Sequence, residues 1–466
     1  MLLGFYDINQ KKHALLINFP VFGWGRYLME VLRPKIYQYF VESDIDGRPI
    51  SRIHRSLVYQ RAKGEIATTP FGTQLNVESV GYEWMNHSIS ARDMKDLSSD
   101  LRTTIGGPDC DQKYNASILN ISAMSFGSLS KNAIEALNKG AKFGNFAHNT
   151  GEGGISPYHL KHGGDLIWQI GTGYFGCRDK DGKFSPSHFK ENVQRDSVKM
   201  VEIKLSQGAK PGHGGILPAK KNTLEIAKIR GVDPFEPIIS PPFHTTFTTP
   251  LELLEFIQTL RKESNGKPIG FKLCVGSKIE FLSICKAMNK LKIYPDFITV
   301  DGGEGGSGAT YQEMADSMGV PIKSALIYCD DALRRTGVRD RVKIFASGKL
   351  FSPDKIAIAL ASGADLINIA RGMMISVGCI GAQKCHTNKC PVGVATTDPE
   401  HQKALVVDEK KWRVLNYVIT LRNGLQTLAA ASGLDSYTKF KRDHVVYRDQ
   451  YGKVTSLEKL FPYPDA

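Results

Sequence analysis

Three cysteines near residue 385 have the spacing that points most directly to chemistry. Cys379, Cys385 and Cys390 are separated by five and four residues, and Pro391 follows the last of them. Structural zinc prefers four ligands with about two to four residues between paired cysteines, and the only nitrogen ligand nearby is His386. Three thiolates with a proline after the last fit an iron–sulfur cluster better. Such a cluster would lack one iron or take a fourth ligand from elsewhere.

Three glycine-rich segments predict a phosphate site. They cover residues 301–308, 347–349 and 370–372, and two of them contain the cations Lys349 and Arg371. Glycine lets the backbone approach a ligand and present N–H groups to phosphate oxygens. One glycine-rich turn is weak support, but three in succession, with cations beside them, favour phosphate binding.

Further cations predict an anionic substrate. Lys204, Gln207 and Lys210 lie within seven residues, at the start of a glycine-rich segment. Lysine supplies a point charge on a long stem; the alternative is a solvated loop with ordinary surface lysines. Lys272 lies inside an otherwise apolar run, where a charge is costly unless it faces a ligand or a counter-charge. A structural ion pair is the alternative for that residue.

The elements that position these residues follow an alternating pattern. Eight short apolar runs predict strands, at Ile118–Ser122, Phe146–Thr150, Val198–Leu205, Pro237–Ser240, Ile269–Val275, Phe297–Val300, Val342–Ala346 and Leu366–Ala370. Helical patterns follow most of them, at Lys131–Phe143, Pro250–Lys262, Lys278–Leu291, Ser324–Thr336 and Pro353–Ser362. Eight alternating units predict an α/β fold of the (β/α)8 TIM-barrel type. An open Rossmann-like sheet is the rival, but glycine signals recur after the sixth and seventh runs rather than only after the first. Residues that follow each strand should therefore converge on one site.

The sequence also predicts how the chain is divided. We expect an N-terminal extension over 1–100, the barrel over 101–400 with the cysteine loop at 379–390, and a C-terminal helical appendage over 401–466. The extension contains a helical pattern that ends before Pro34, and the appendage contains one over Trp412–Ala430. Residues 155–197 are predicted to be an insertion after the second strand.

Composition restricts the class of protein. Hydrophobic residues make up 41% and charged residues 23%, as in ordinary globular proteins. Eight cysteines in 466 residues do not make a disulfide scaffold. No apolar run reaches the roughly 18 residues that cross a bilayer, and the first residues lack the pattern of a signal peptide. We expect a cytoplasmic protein, or a membrane-associated one if an upstream anchor is missing. The net charge of +13 favours anionic partners. No nucleic-acid motif accompanies it, so a solvated basic surface is the simpler interpretation.

Several motifs together resemble one known family. They are Ser122-Ala-Met-Ser-Phe-Gly-Ser128, Thr150-Gly-Glu-Gly-Gly154, Ile203-Lys-Leu-Ser-Gln-Gly-Ala-Lys-Pro-Gly212, Ser240-Pro-Pro242, Asp301-Gly-Gly-Glu-Gly-Gly-Ser-Gly-Ala309 and Cys379 through Thr396. The sequence resembles the FMN-binding domain of glutamate synthases over roughly residues 80–400, and more closely the stand-alone bacterial proteins built on that domain.

The resemblance implies an activity, cofactors and a site. FMN is expected at the barrel mouth, with a 3Fe–4S cluster on Cys379, Cys385 and Cys390 that feeds it electrons. 2-Oxoglutarate is expected to be aminated to 2-iminoglutarate and reduced to L-glutamate. The expected substrate-side residues are Glu152, Lys204, Gln207, Lys210 and Arg230, of which Glu152, Gln207 and Lys210 are expected to be catalytic. The expected cofactor-binding residues are Ser125, Lys272, Gly302, Gly303, Gly348, Lys349, Ala370 and Arg371.

Departures from the family pattern leave alternatives open. Full synthases have an N-terminal catalytic cysteine, whereas here Leu2 follows Met1, so ammonia is expected to be free or to come from a separate amidotransferase. Ile216 stands where glutamate synthases carry a substrate-side glutamine, which leaves the 2-oxo acid open. Since no dinucleotide-binding domain is recognisable, an external electron donor such as a ferredoxin is expected. The alternatives are an FMN enzyme for another 2-oxo or amino acid or an N-substituted glutamate, and a basic scaffold that binds a partner or a membrane.

Overall fold

A closed barrel of eight parallel strands forms the centre of the computed structural model, which describes residues 1–65 and 68–464. The strands are β1 Leu119–Ile121, β2 His148–Asn149, β3 Leu166–Ile170, β4 Val198–Lys204, β5 Ile269–Leu273, β6 Phe297–Asp301, β7 Lys343–Ser347 and β8 Leu366–Ile369. β8 pairs with β1, with Ile367 opposite Leu119, and this pairing closes the barrel. The predicted TIM barrel is confirmed.

One predicted strand was wrong and another was missed. Ile238–Ile239 is not in the barrel but pairs antiparallel with Ile216–Leu217. The third barrel strand is Leu166–Ile170, inside the stretch predicted to be an insertion. The wrongly assigned run is flanked by prolines, which donate no ladder hydrogen bond and favour sheet edges. The missed run contains Gln169, whose buried amide bonds another buried side chain rather than water.

Apolar side chains fill the barrel at the end where its strands begin. Phe297 and Phe345, on β6 and β7, stack with ring centroids 4.5 Å apart. An antiparallel hairpin, Arg102–Ile105 with Tyr114–Ser117, adds Ile105 and other side chains to the same cluster. Because apolar packing fills this end, we expect ligands to bind at the opposite end, where the strands terminate.

Helices precede, separate and follow the barrel strands along the chain. They are α1 Leu2–Asn9, α2 Ala14–Asn18, α3 Trp24–Ile36, α4 Arg52–Lys63, α5 Lys131–Gly144, α6 Pro157–Leu160, α7 Pro186–Val193, α8 Leu224–Arg230, α9 Pro250–Glu263, α10 Lys278–Leu291, α11 Gln312–Ser317, α12 Ile322–Arg335, α13 Pro353–Ala361, α14 Arg371–Ser376, α15 Pro399–Gln402, α16 Val407–Ala431 and α17 Leu457–Leu460. Several begin at a capping residue; Ser130, for example, accepts from the Ala133 N–H at the start of α5. None of the described helices combines the length and the apolarity that crossing a membrane requires.

The chain separates into two compact units, with the boundary after Ser56. The first unit contains α1, α2, α3, a π-helical turn at Tyr37–Val41 and the beginning of α4. Helix α3 continues through Pro34, where the sequence predicted its end. The second unit contains the barrel. The domain boundaries predicted from the sequence remain predictions.

The C-terminal segment joins the second unit through strands and a buried arginine. Val445–Arg448 pairs antiparallel with Glu83–Met85 and with Val454–Ser456, so this segment is not wholly helical. Arg442 is completely buried; its guanidinium contacts Asp330 at 3.1 Å and Asp331 at 2.6 Å. A buried charge is tolerated only when it is paired, so this contact fixes the segment on α12.

We predict that Arg442→Ala lowers the free energy of unfolding by about 3 kcal/mol. This lies at the lower end of the range for broken buried ion pairs, because Asp330 also contacts Arg334 and Arg339. Urea unfolding measures the change. Lys439→Ala is the control, since Lys439 forms an exposed pair with Asp435 and should change stability by less than about 1 kcal/mol. Equal effects of the two substitutions would contradict the anchoring role of Arg442.

Candidate functional site

The loops after the barrel strands bring a carboxylate and a lysine together. Glu152 follows β2, and its Oε1 lies 2.5 Å from the Nζ of Lys204 at the end of β4. The same Nζ donates to Oε1 of Gln207 at 2.6 Å. A Cβ atom at Gly171 or Gly215 would lie 2.5 or 2.7 Å from the Glu152 carboxylate, so glycine at both positions makes room for it. Burial raises the pKa of Glu152, but Lys204, Lys210 and Arg230 outweigh burial and lower it.

Two further cations act on this carboxylate. Lys210 is 3% exposed; burial and the charge of Lys204 lower its pKa to about 8, against the raising effect of Glu152. Arg230, at the end of α8, is buried, and burial lowers its pKa to about 10. Its guanidinium lies over the ring of Phe175, and its Nε has no hydrogen-bond partner within the described residues. Three cations therefore surround one carboxylate, and the excess positive charge suits an anionic ligand.

The loop after β6 accepts hydrogen bonds from the residues predicted to bind substrate. Gln207 donates through Nε2 to the Gly306 carbonyl at 3.3 Å, and Lys210 donates through Nζ to the Ala309 carbonyl at 3.1 Å. Arg371, which follows β8, donates to the Glu304 carbonyl. These three side chains thus donate hydrogen bonds to carbonyl oxygens of one loop, and they could donate to the oxygens of a ligand instead.

Lys272 forms the ion pair that was the alternative prediction for it. Its Nζ lies 3.3 Å from Oδ2 of Asp301, and both side chains are buried. Burial lowers the pKa of Lys272, but Asp301 and Glu202 outweigh burial and raise it. Glu202 lies deeper in the barrel, where Thr299 donates to its carboxylate. Lys272 is therefore a fixed cation at the end of β5.

The predicted phosphate loops come together after β6, β7 and β8. The Gly302 N–H donates to the carbonyl of Ser347, and a Cβ at Gly348 would lie 3.0 Å from Ile322, the first residue of α12. The Glu304 carboxylate accepts from the Ile322 N–H at 2.9 Å. Burial raises the pKa of Glu304.

Other predicted cofactor residues lie around these loops. Lys349 acts electrostatically on Glu304 and has a φ of 50°, and Arg371 lies beside Gly306. Ala370 precedes the first residue of α14. Gly303 donates to the Val320 carbonyl. Ser125 instead lies beside Gly151 and Gly153, next to the Glu152 loop.

The three clustered cysteines influence one another electrostatically. Burial, together with the charges of Cys385 and Cys390, raises the pKa of Cys379 to about 11, against a lowering effect of the Gly381 backbone hydrogen bond. Lys221 lies beside them, with Nζ donating to the carbonyls of Ser128 at 2.8 Å and Cys385 at 3.3 Å. Burial lowers the pKa of Lys221 to about 8, and the two cysteine charges oppose this. Within residues 1–65 and 68–464, no group of three or more His, Cys, Asp or Glu side chains is arranged to hold a metal ion.

Sequence reasoning missed three residues of this region. Lys221 lies in a Lys-Lys pair with no motif around it, and Glu202 looks like an ordinary charge in a strand. His244 is buried, with Nε2 hydrogen-bonded to the carbonyl of Lys204 at 2.9 Å. Each contacts residues distant in sequence. Only Glu202 gave a local signal, because it is a charge inside the apolar run of β4; the same kind of signal identified Lys272.

Comparison with known proteins relates the chain to one family. A family model described as the conserved region in glutamate synthase matches residues 93–435. The glutamate synthase large subunit-like protein YerD of Bacillus subtilis is 42% identical, over 97% of this chain and 93% of that protein. The archaeal glutamate synthase (NADPH) of Methanocaldococcus jannaschii is 30% identical, over 76% of this chain and 65% of that protein.

One solved flavoprotein structure is similar to this chain over most of its length. The flavin-binding domain of baker's yeast flavocytochrome b2 aligns with a TM-score of 0.47 at 12% identity, over 95% of this chain and 89% of that chain. From the sequence matches, the chain belongs to the glutamate synthase family and is an oxidoreductase of that type.

Proposed function

We propose that the protein reductively aminates a 2-oxo acid, with 2-oxoglutarate favoured and L-glutamate as the product. The observation that carries this proposal is the cluster of Lys204, Lys210 and Arg230 around the Glu152 carboxylate. A dicarboxylate needs fixed cations in a site with little water, where charge-assisted contacts are stronger than in bulk solvent. The Glu152 carboxylate in this cluster can also accept a proton from an ammonium ion.

The site residues divide the acid–base work. Since neighbouring cations lower the pKa of Glu152, it stays ionised at neutral pH and can accept a proton as nitrogen attacks the carbonyl carbon. Lys210, with a pKa of about 8, can donate a proton to the departing oxygen, which leaves as water. Arg230, Lys204 and Lys210 hold the carboxylates of the substrate. Gln207 orients Lys204 through their 2.6 Å hydrogen bond.

FMN is the cofactor that the residues of the mouth fit. The loops at Gly302–Gly303, Gly348–Lys349 and Ala370–Arg371 would hold its phosphate, since loops after the seventh and eighth strands are the usual phosphate site of this fold. Lys272 would lie beside the ring and stabilise the negative charge of the reduced form. When bound, FMN supplies the hydride that reduces the imine.

An iron–sulfur cluster is the second proposed cofactor. Cys379, Cys385 and Cys390 would supply three thiolates, as in a 3Fe–4S cluster. The donor set fits in charge, because the buried cation Lys221 lies beside two of the thiols and would offset a negatively charged cluster. The electrons would come from an external donor of the ferredoxin kind.

A second candidate substrate is another 2-oxo acid or an N-substituted glutamate. Ile216 follows Gly215, whose Cβ position lies 2.7 Å from the Glu152 carboxylate. An isoleucine beside that contact donates no hydrogen bond to a substrate. A screen of 2-oxo acids with ammonium and with methylamine separates the two candidates.

The experiment that tests the function uses the purified holoprotein, a chemical reductant and a 2-oxo acid. We expect denaturation to release FMN, and we expect turnover with ammonium but not with glutamine. The five cysteines outside the cluster loop are buried, and burial raises the pKa of Cys110, Cys274 and Cys285 to about 12, which makes these thiols poor nucleophiles for amide hydrolysis. Release of FAD, or glutamine-dependent turnover by this chain alone, would contradict the proposal.

We predict that Lys210→Ala weakens 2-oxoglutarate binding by about 10- to 150-fold, the value of one charge-assisted contact. FMN affinity, measured by flavin fluorescence, should change little. The exposed Lys228 provides the control as Lys228→Ala.

The same lysine predicts a pH dependence. With a pKa of about 8, Lys210 is charged below that pH and neutral above it, so calorimetry should show wild-type affinity for 2-oxoglutarate falling as pH rises through this range. Lys210→Arg should bind without that decline, since arginine keeps its charge. Equal loss of flavin and substrate in Lys210→Ala would place this residue in the cofactor site or the fold.

We predict that Cys385→Ser removes iron and acid-labile sulfide but leaves most FMN bound, because the proposed flavin contacts come from the strand-end loops. Metal analysis and absorbance spectra measure both cofactors. His386→Ala is the control, since it lies beside Cys385 but is not a proposed ligand. Unchanged iron in Cys385→Ser, or zinc in place of iron, would show that the cluster assignment is wrong.

A further inference from the structure

For its length, the first unit exposes far more apolar side chains than the rest of the described chain. Of the forty large apolar side chains exposed among the described residues, twenty lie between Met1 and Ile45. They include Leu2 at 89%, Phe22 at 88% and Phe40 at 85% exposure. Single exposed apolar residues are normal, but a concentration of this kind marks an interaction surface.

The unit has almost no apolar interior of its own. Leu16 and Ile50 are its buried large apolar residues among those described, and α3 has no buried residue. A carboxylate holds part of the unit together: Asp7 accepts hydrogen bonds from the Trp24 indole at 3.0 Å and from the Val21 N–H at 2.8 Å. Since the apolar side chains point outward, they require an apolar environment outside the unit.

Basic side chains are interspersed with this apolar surface. Within residues 1–45 the exposed cations are Lys11, Lys12, Arg26, Arg33 and Lys35, and the acidic residues are Asp7, Glu30, Glu42 and Asp44. Asp7 is buried, and the other three carboxylates are each paired with an arginine, Glu30 with Arg26 at 3.1 Å, Glu42 with Arg55 at 2.8 Å and Asp44 with Arg52 at 3.0 Å. The accessible charge is therefore positive, which selects a partner with negative charge next to apolar material.

Aromatic side chains indicate what that partner is. Trp24, Tyr37 and Tyr39 are exposed together with the phenylalanines. Tryptophan and tyrosine concentrate at the level of lipid head groups, where one end of the ring is apolar and the other is wet. Short helices with apolar, aromatic and basic residues lie in the plane of such an interface, with basic residues attracted to anionic lipids.

We propose that residues 1–45 form an interfacial lipid-binding unit that attaches the protein to an anionic bilayer surface. Helices α1, α2 and α3 would lie along the surface, with their apolar side chains among the head groups and upper acyl chains. The lysines and arginines would contact lipid phosphates. This inference is independent of the proposed reaction, since it uses no residue of the barrel.

The test is sedimentation of the full-length holoprotein with vesicles. We expect binding to phosphatidylcholine vesicles that contain phosphatidylglycerol, weaker binding to phosphatidylcholine alone, and a decrease with salt because the cations contribute. Combined Phe22→Ser and Phe40→Ser should weaken binding by about tenfold or more, as expected when buried phenylalanine surface is lost. Lys11→Glu with Lys12→Glu should remove the preference for phosphatidylglycerol.

The matched control is Phe235→Ser with Phe243→Ser. These phenylalanines are each 63% exposed and lie in the second unit, so their replacement should leave vesicle binding unchanged. Circular dichroism and bound flavin verify folding of every variant. Failure to bind either vesicle, or equal losses in the phenylalanine variant and its control, would overturn the proposal. A concentration-dependent dimer that the Phe22 and Phe40 changes abolish, without vesicle binding by the wild type, would show instead that a second copy covers this surface.

Discussion

Glu202 lies inside the closed barrel, and a carboxylate in that position must be fully hydrogen-bonded. Side chains from three other strands of the barrel donate to it: Asn149 at 2.8 Å, Gln169 at 2.6 Å and Thr299 at 2.5 Å. Above it, Asp301 pairs with Lys272 and accepts from the Gly208 N–H at 2.9 Å. The need to satisfy buried charge thus connects the barrel interior to the loops after β4 and β6. The positions of those loops depend on this network.

The site at the barrel mouth also contains buried charges, but there the positive charges are in excess. In the barrel interior two carboxylates, Glu202 and Asp301, lie near one cation, Lys272. Around Glu152, three cations meet one carboxylate. Burial lowers the pKa of two of those cations, Lys210 and Arg230. The cost of keeping them charged decreases when a second anion enters. A negatively charged ligand would therefore offset the excess positive charge around Glu152.

The sequence predicted the barrel and the loops that form the site, because glycine and lysine patterns after buried strands are local signals. It failed at β3, where the buried Gln169 interrupts the apolar run, and at Ile238–Ile239, whose prolines belong to a hairpin outside the barrel. It could not identify Lys221, whose partners lie more than ninety residues away on one side and more than one hundred and sixty on the other. It left two possibilities for Lys272; the structure shows the ion pair with Asp301, and the flavin contact stays a prediction. Local sequence patterns do not indicate contacts between residues that lie far apart in the chain.

The carbonyls of Gly306 and Ala309 already accept hydrogen bonds from Gln207 and Lys210. A carboxylate that arrives at these two side chains exchanges one set of hydrogen bonds for another, so the enthalpy gained is only the difference between a charged and a neutral acceptor. The released loop, which is exposed from Gly306 to Gly308, would recover conformational entropy. Binding of a carboxylate at Gln207 and Lys210 is therefore coupled to release of this loop.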